Sequence, residues 1–90
     1  MAKRKIACLN DQVGNFDGYI MTTAQNGKLK VNGETVAVDL AVARRPGEWT
    51  RNIIPTVTKT FYNGKQIIVE GDETTAGNVV HPNERYVYVE

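Results

Sequence analysis

The sequence predicts an all-β fold, a small domain of three strand-turn-strand repeats related by pseudo-threefold symmetry. Three observations predict it. The 90 residues include 11 Val, 9 Thr and 6 Ile against three Leu, a balance that favours pleated, half-buried surface over helix. Asn-Gly dipeptides stand at 26–27, 32–33 and 63–64, the strongest short-range hairpin signal when flanked by β-type residues. The stretch Lys28–Asp39 also aligns without gaps on Lys59–Glu70, 31 residues later.

Each aligned copy reads as strand, tight turn, strand. A further second strand begins the chain, because Ile6–Asp11 matches Ile67–Asp72 at a spacing of 61, close to twice the repeat. Its missing first strand is expected at the other terminus, in Arg85–Glu90, so the repeat is circularly shifted. A period of about 20–50 residues means units that bury their apolar face against copies of themselves. Between the copies, Val13–Thr23, Ala43–Pro55 and Glu73–Asn83 read as loops or short irregular strands. Glu34–Arg45, free of Gly and Pro, has the Ala content of a short helix, but Val36, Val38, Leu40 and Val42 alternate with period two and favour a strand. One domain spanning residues 1–90 accommodates all of this.

Composition excludes several functions. A chain of 90 residues leaves little room for a deep enzyme cleft beside its core, and a net charge of +1 is not that of a phosphate-binding module. Ile6–Leu9 is too short an apolar run for a signal peptide or a membrane span, so synthesis and folding in a cytoplasm are expected. Cys8 has no partner for a disulfide and begins no CxxC spacing.

The chemistry-bearing residues are few. His81, the one histidine, precedes a proline and reads as a solvated turn residue. Cys8, on a strand, reads as a small core residue, and pairing it with His81 as a nucleophile lacks an orienting third group. Asp11, Asp39, Glu70, Asp72 and Glu73 fall at related turn positions. Paired carboxylates can do acid-base work, but an Asp after a strand more commonly caps a turn through its own backbone. Arg44, Arg45, Trp49 and Phe16 suggest the alternative function, a small β-barrel module binding single-stranded nucleic acid by stacking. The terminal Tyr86-Val87-Tyr88-Val89 strand offers an edge for pairing with another chain. Its equivalents, Leu29–Val31 and Thr60–Tyr62, would make a rim that fits a trimeric partner.

The run from Thr60-Phe61-Tyr62-Asn63-Gly64-Lys65 through Gly71-Asp72-Glu73-Thr74-Thr75-Ala76-Gly77 resembles the PAAR repeat, with Val31–Val38 and Ile6–Asp11 as weaker copies. The usual Pro-Ala-Ala-Arg-like tetrapeptide is replaced here by Gln66-Ile67-Ile68-Val69. The resemblance implies a pointed, cone-like domain that caps the trimeric β-helical spike of a contractile injection machine, one copy per trimer. Its broad base would bind the spike, and its apex would lead penetration of the target cell envelope. A phage tail tip, assembled into the virion after synthesis in the host cytoplasm, comes first; a type VI secretion tip comes next. The implied spike contacts are Leu29, Val31, Phe61, Tyr62, Tyr86 and Tyr88, and the implied apex loops carry Phe16, Trp49 and His81. Many family members bind a metal near the apex through three His and one Cys. Here the corresponding loops hold only His81, with Ala76 where Cys often stands, so no metal, no cofactor, no catalytic site and no nucleic-acid partner are expected.

Overall fold

The computed structural model describes residues 3–14, 18–23, 25, 27–83 and 87–89. Its strands are short, and among the described residues there is no helix. Strand β4 (Lys30–Val31) pairs antiparallel with β5 (Glu34–Thr35), and β8 (Phe61–Tyr62) with β9 (Lys65–Gln66). The turns between them place both central residues at positive φ, Asn32 at 52° with Gly33 at 80°, and Asn63 at 51° with Gly64 at 77°. This is the type I′ turn that the Asn-Gly pairs predict. The third hairpin joins the two ends of the chain. In it β12 (Tyr88–Val89) pairs with β1 (Arg4–Lys5), Arg4 opposite Val89 and Lys5 opposite Tyr88.

From each hairpin the second strand runs into a three-residue segment, 6–8, 36–38 or 67–69, and these three segments close a ring. Ile6 bridges Val69, Cys8 bridges Val36 and Val38 bridges Ile67. At the centre of each segment, Ala7 N–H donates to Ile68 C=O (3.0 Å), Ile68 N–H to Ala37 C=O (2.9 Å) and Ala37 N–H to Ala7 C=O (2.9 Å). Two residues further on, just past each segment, Leu9, Asp39 and Glu70 donate to the carbonyls of Thr35, Gln66 and Lys5 at 2.9, 2.7 and 2.9 Å. The pattern returns to itself after three steps, so the pseudo-threefold repeat is a physical symmetry of the backbone.

Each ring segment ends in a turn. The amides of Asp11, Ala41 and Asp72 donate to the carbonyls of Cys8, Val38 and Val69 at 3.2, 3.0 and 3.1 Å. The third residue of each turn has positive φ: Asn10 at 72°, Leu40 at 74° and Gly71 at 86°. Beyond the turns lie β2 (Gln12–Val13), β3 (Gly18–Thr22), β6 (Val42–Arg45), β7 (Trp49–Ile54), β10 (Glu73–Thr74) and β11 (Val80–His81). They form one antiparallel sheet in the order β10-β7-β6-β3-β2-β11. A bridge between Glu73 and Val79 brings its two edges together. The sheet is therefore nearly closed, each repeat contributing one pair of neighbouring strands.

Side-chain alternation on the ring segments sorts the core into two halves. The first and third residues, Ile6 and Cys8, Val36 and Val38, Ile67 and Val69, pack with Val57 on the hairpin side, where Leu29, Val31, Tyr62, Val87 and Val89 cover them. The middle residues Ala7, Ala37 and Ile68 pack toward the sheet with Val13, Ile20, Ala41, Ala43, Ile53 and Val80. Hairpins thus occupy one end of the molecule and the closed sheet the other.

One expectation is narrowed to its strand alternative and one needs correction. The segments between repeats, read as loops or irregular strands, carry the largest sheet; their strands each contribute only one or two inward apolar residues, such as Val13, Ile20 or Ile53, too few to register as a period. The alternating run Val36–Val42 is not a single strand. A turn interrupts it at 39–40, leaving Leu40 59% exposed.

The middle ring position holds one large and two small side chains, all fully buried. Ile68→Ala should cost about 2–5 kcal/mol by leaving a cavity, and Ala37→Ile about 1–3 kcal/mol by overpacking. Combined, they conserve volume, so the double variant should regain a large part of the loss in a denaturant-melting cycle. Strict additivity would show that these side chains do not share one space.

Candidate functional site

The six side chains expected to meet a spike separate into two groups. Leu29, Val31 and Tyr62 are half-buried and face the hairpin-side core. Phe61 and Tyr88 point the other way and are 54% and 45% exposed. Tyr86 lies outside the described residues. Alternation along the first strand of each hairpin produces this division, since Lys30, Phe61 and Tyr88 are the outward positions of β4, β8 and β12, and Val31, Tyr62 and Val89 the inward ones. The inward residues build the core of that end, and the outward ones form its surface. Each hairpin is a two-stranded sheet by itself, so among the described residues β4, β8 and β12 pair with one strand each and present an edge. At the start of β4, Gln25 satisfies the backbone instead: its Nε2 donates to Leu29 C=O (2.9 Å) and its Oε1 accepts from Leu29 N–H (3.0 Å).

At the sheet end, Trp49 and His81 come together in a cleft of about 410 Å³, lined also by Gly14, Arg45, Gly77, Asn78 and Val79. Both were expected in loops, but Trp49 begins β7 and His81 ends β11; Phe16 lies outside the described residues. The Arg51 guanidinium stacks 4.7 Å from the Trp49 ring centre and donates to Asn78 Oδ1 (2.9 Å). Thr74 holds the same loop by donating its hydroxyl to Asn78 Oδ1 (2.7 Å) and accepting from the Asn78 amide (3.1 Å). The Trp49 ring is accommodated because residue 18 has no side chain. A Cβ there would lie 3.0 Å from Trp49 Cη2 and 2.9 Å from Val13 O.

The candidate catalytic residues do not form one site. Cys8 is fully buried in the hairpin-side core, whereas His81 borders the cleft at the other end. Asp11 and Asp72 are fully buried and equivalent, each carboxylate accepting a ring amide three residues back, from Cys8 (2.7 Å) and Val69 (3.0 Å). Asp39 falls out of this register: it corresponds to Leu9 and Glu70, and the third equivalent of Asp11 is Ala41. In that repeat the Thr23 hydroxyl accepts from Val38 N–H (2.8 Å). Glu70 accepts from Lys5 N–H (3.0 Å), and Glu73 is exposed on β10. Among the described residues no three His, Cys, Asp or Glu side chains converge as metal ligands.

Asp72 also accepts from the Thr56 hydroxyl, which itself accepts from Arg4 Nη2 (2.6 Å), while Arg4 Nη1 lies 3.6 Å from the carboxylate. Burial pushes the Asp72 carboxyl above its usual range, more than the Thr56 hydroxyl, the Val69 amide and Arg4 pull it down. A raised folded-state pKa means that the folded chain keeps the proton longer than the unfolded one. Stability therefore falls as pH rises from about 3.9, the free Asp value, through the folded pKa. Asp72→Asn should remove this component, so the stability difference, wild type minus variant, should shrink with rising pH in denaturant titrations across that window. A difference that grows would show that the carboxylate is favoured. Gly18→Ala should cost about 1–3 kcal/mol and shift the fluorescence of Trp49, the single tryptophan; an unchanged spectrum and melting point would show that the site has slack.

No protein-family model matches the chain, and a search of curated proteins found no match either.

Proposed function

We propose that the chain is the tip of a contractile injection machine, capping the blunt end of a trimeric β-helical spike with one copy per trimer and leading penetration of the target cell envelope. The observation that carries this is the closed ring with three equivalent hairpins on one side of it. A single chain with three near-equivalent edges can meet a threefold partner without a symmetry mismatch, each edge continuing one sheet of the spike by strand addition. Phe61 and Tyr88 supply the exposed aromatic surface beside those edges. The opposite end is a nearly closed sheet whose Trp49 is stacked by Arg51 and seated on Gly18, a rigid end suited to being driven forward. Penetration requires shape and rigidity, with no turnover. A phage tail is the favoured setting, with the protein carried in the virion; a type VI secretion tip uses the same geometry.

Co-expression with the trimeric spike protein encoded in the same gene neighbourhood, followed by light scattering, tests the stoichiometry. One chain per spike trimer is expected. Three chains per trimer, or no complex, would overturn the proposal. Phe61→Asp combined with Tyr88→Asp changes exposed positions only and should weaken the complex about 10-fold or more, with the melting temperature of the free chain little changed.

A further inference from the structure

The near-neutral chain is electrically polarised. On the three hairpins and the residues leading into them, 3–6, 28–35, 59–66 and 87–89, there are seven Lys and Arg against one acid, Glu34. The remaining described residues reverse the balance, with six Asp and Glu against Arg44, Arg45 and Arg51; of the six, Glu70 and Asp72 sit against Lys5 and Arg4 of β1. Asp17, Glu84, Arg85 and Glu90 lie outside the described residues. Lys3, Lys28, Lys30 and Lys59 are exposed, so their charge is available at the surface, and Arg4 is turned onto Asp72.

The repeat narrows what this basic end fits. Lys30, Phe61 and Tyr88 occupy the same outward position of β4, β8 and β12, one in each repeat. A threefold partner presents the same group to all three. A carboxylate is compatible with each: it pairs with the Lys30 ammonium, accepts from the Tyr88 hydroxyl and tolerates the positive edge of the Phe61 ring. A cationic group opposite Lys30 would be repelled, with Lys28 and Lys59 adding to the repulsion. Nucleic acid and anionic lipid also suit a basic surface, but neither accounts for three equivalent strand edges around an axis.

Resting on the tip function proposed above, we infer that the spike end docked on this chain is acidic, with a threefold set of carboxylates facing Lys30, Phe61 and Tyr88. Such docking is steered by charge and weakened by salt. The test uses the intact chain and the same spike trimer, with binding measured by calorimetry from low to high salt. Affinity should fall with salt, Lys30→Glu should weaken binding about 10-fold, and Arg44→Glu, at the sheet end, should leave it unchanged. A complex of one chain per trimer that is indifferent to both salt and Lys30→Glu overturns the acidic partner and leaves the tip function standing. Absence of any complex overturns both. Binding to a 20-residue oligodeoxythymidine or to phosphatidylglycerol vesicles that Lys30→Glu abolishes, without binding to the spike, assigns the basic end to nucleic acid or membrane and likewise overturns both.

Discussion

Three hydrogen bonds, from Ala7 to Ile68, from Ile68 to Ala37 and from Ala37 to Ala7, are the constraint on which the rest of this molecule depends. They close only if the chain passes the same axis three times in the same orientation, and that requires three segments with the same length of strand on either side. The segment amides leave no buried donor unmatched. The first is taken by the hairpin partner, as in Val36 to Leu29 (3.0 Å). The second closes the ring, and the third donates to a side chain, Asp11, Thr23 or Asp72. With the backbone so fixed, alternation sends side chains to opposite faces and creates the two halves of the core. Closure also forces the chain ends together, because the hairpin that serves Ile6 can be completed only by Val87–Val89.

Where the repeats differ, the differences compensate locally. Two of the three turns carry a buried aspartate on the ring amide; in the third, Ala41 has no oxygen to offer and Thr23 reaches in from the end of β3. The turn position at positive φ is filled by Asn10 and Gly71, residues that tolerate it. In the middle repeat it is filled by Leu40, for which that conformation costs about 1–2 kcal/mol. The Leu40 side chain is largely exposed and contributes little packing, but its amide donates to Asp39 Oδ1 (2.9 Å), and the surrounding ring and sheet hold the turn in place.

The hairpins and the order of the repeats were legible in the sequence because their signals are local. Asn-Gly fixes a turn type, and the matching residues on either side fix the register. Even the pairing of the two chain ends followed from counting which half-unit was missing. The sheet was less legible, since its strands bury single residues such as Val13, Ile53 and Val80, and partners come from different repeats. The Asp39 position was misread because a carboxylate two residues out of register looks equivalent in sequence, and only the hydrogen bonds show that Ala41 is the true counterpart. Burial likewise separated Leu29, Val31 and Tyr62 from Phe61 and Tyr88, as two-residue strands give alternation too little length to show direction. The charge separation was hidden for a different reason. A net charge near zero says nothing of placement, and the hairpin lysines lie in three stretches that meet only after folding.

For the tip function proposed above, the axis itself gives a reason why one divergent chain, and not three identical ones, would cover a threefold end. In a true trimer, whatever residue approaches the axis does so three times. Three isoleucines at the position of Ile68 would overfill the space, and three alanines would leave a void where close packing is lost. Here the same layer contains Ala7, Ala37 and Ile68, all with no exposed surface and all in one core cluster, so one large side chain is packed with two small ones. A monomer with approximate symmetry can seal its own centre while keeping, at its rim, three edges alike enough to satisfy a symmetric partner.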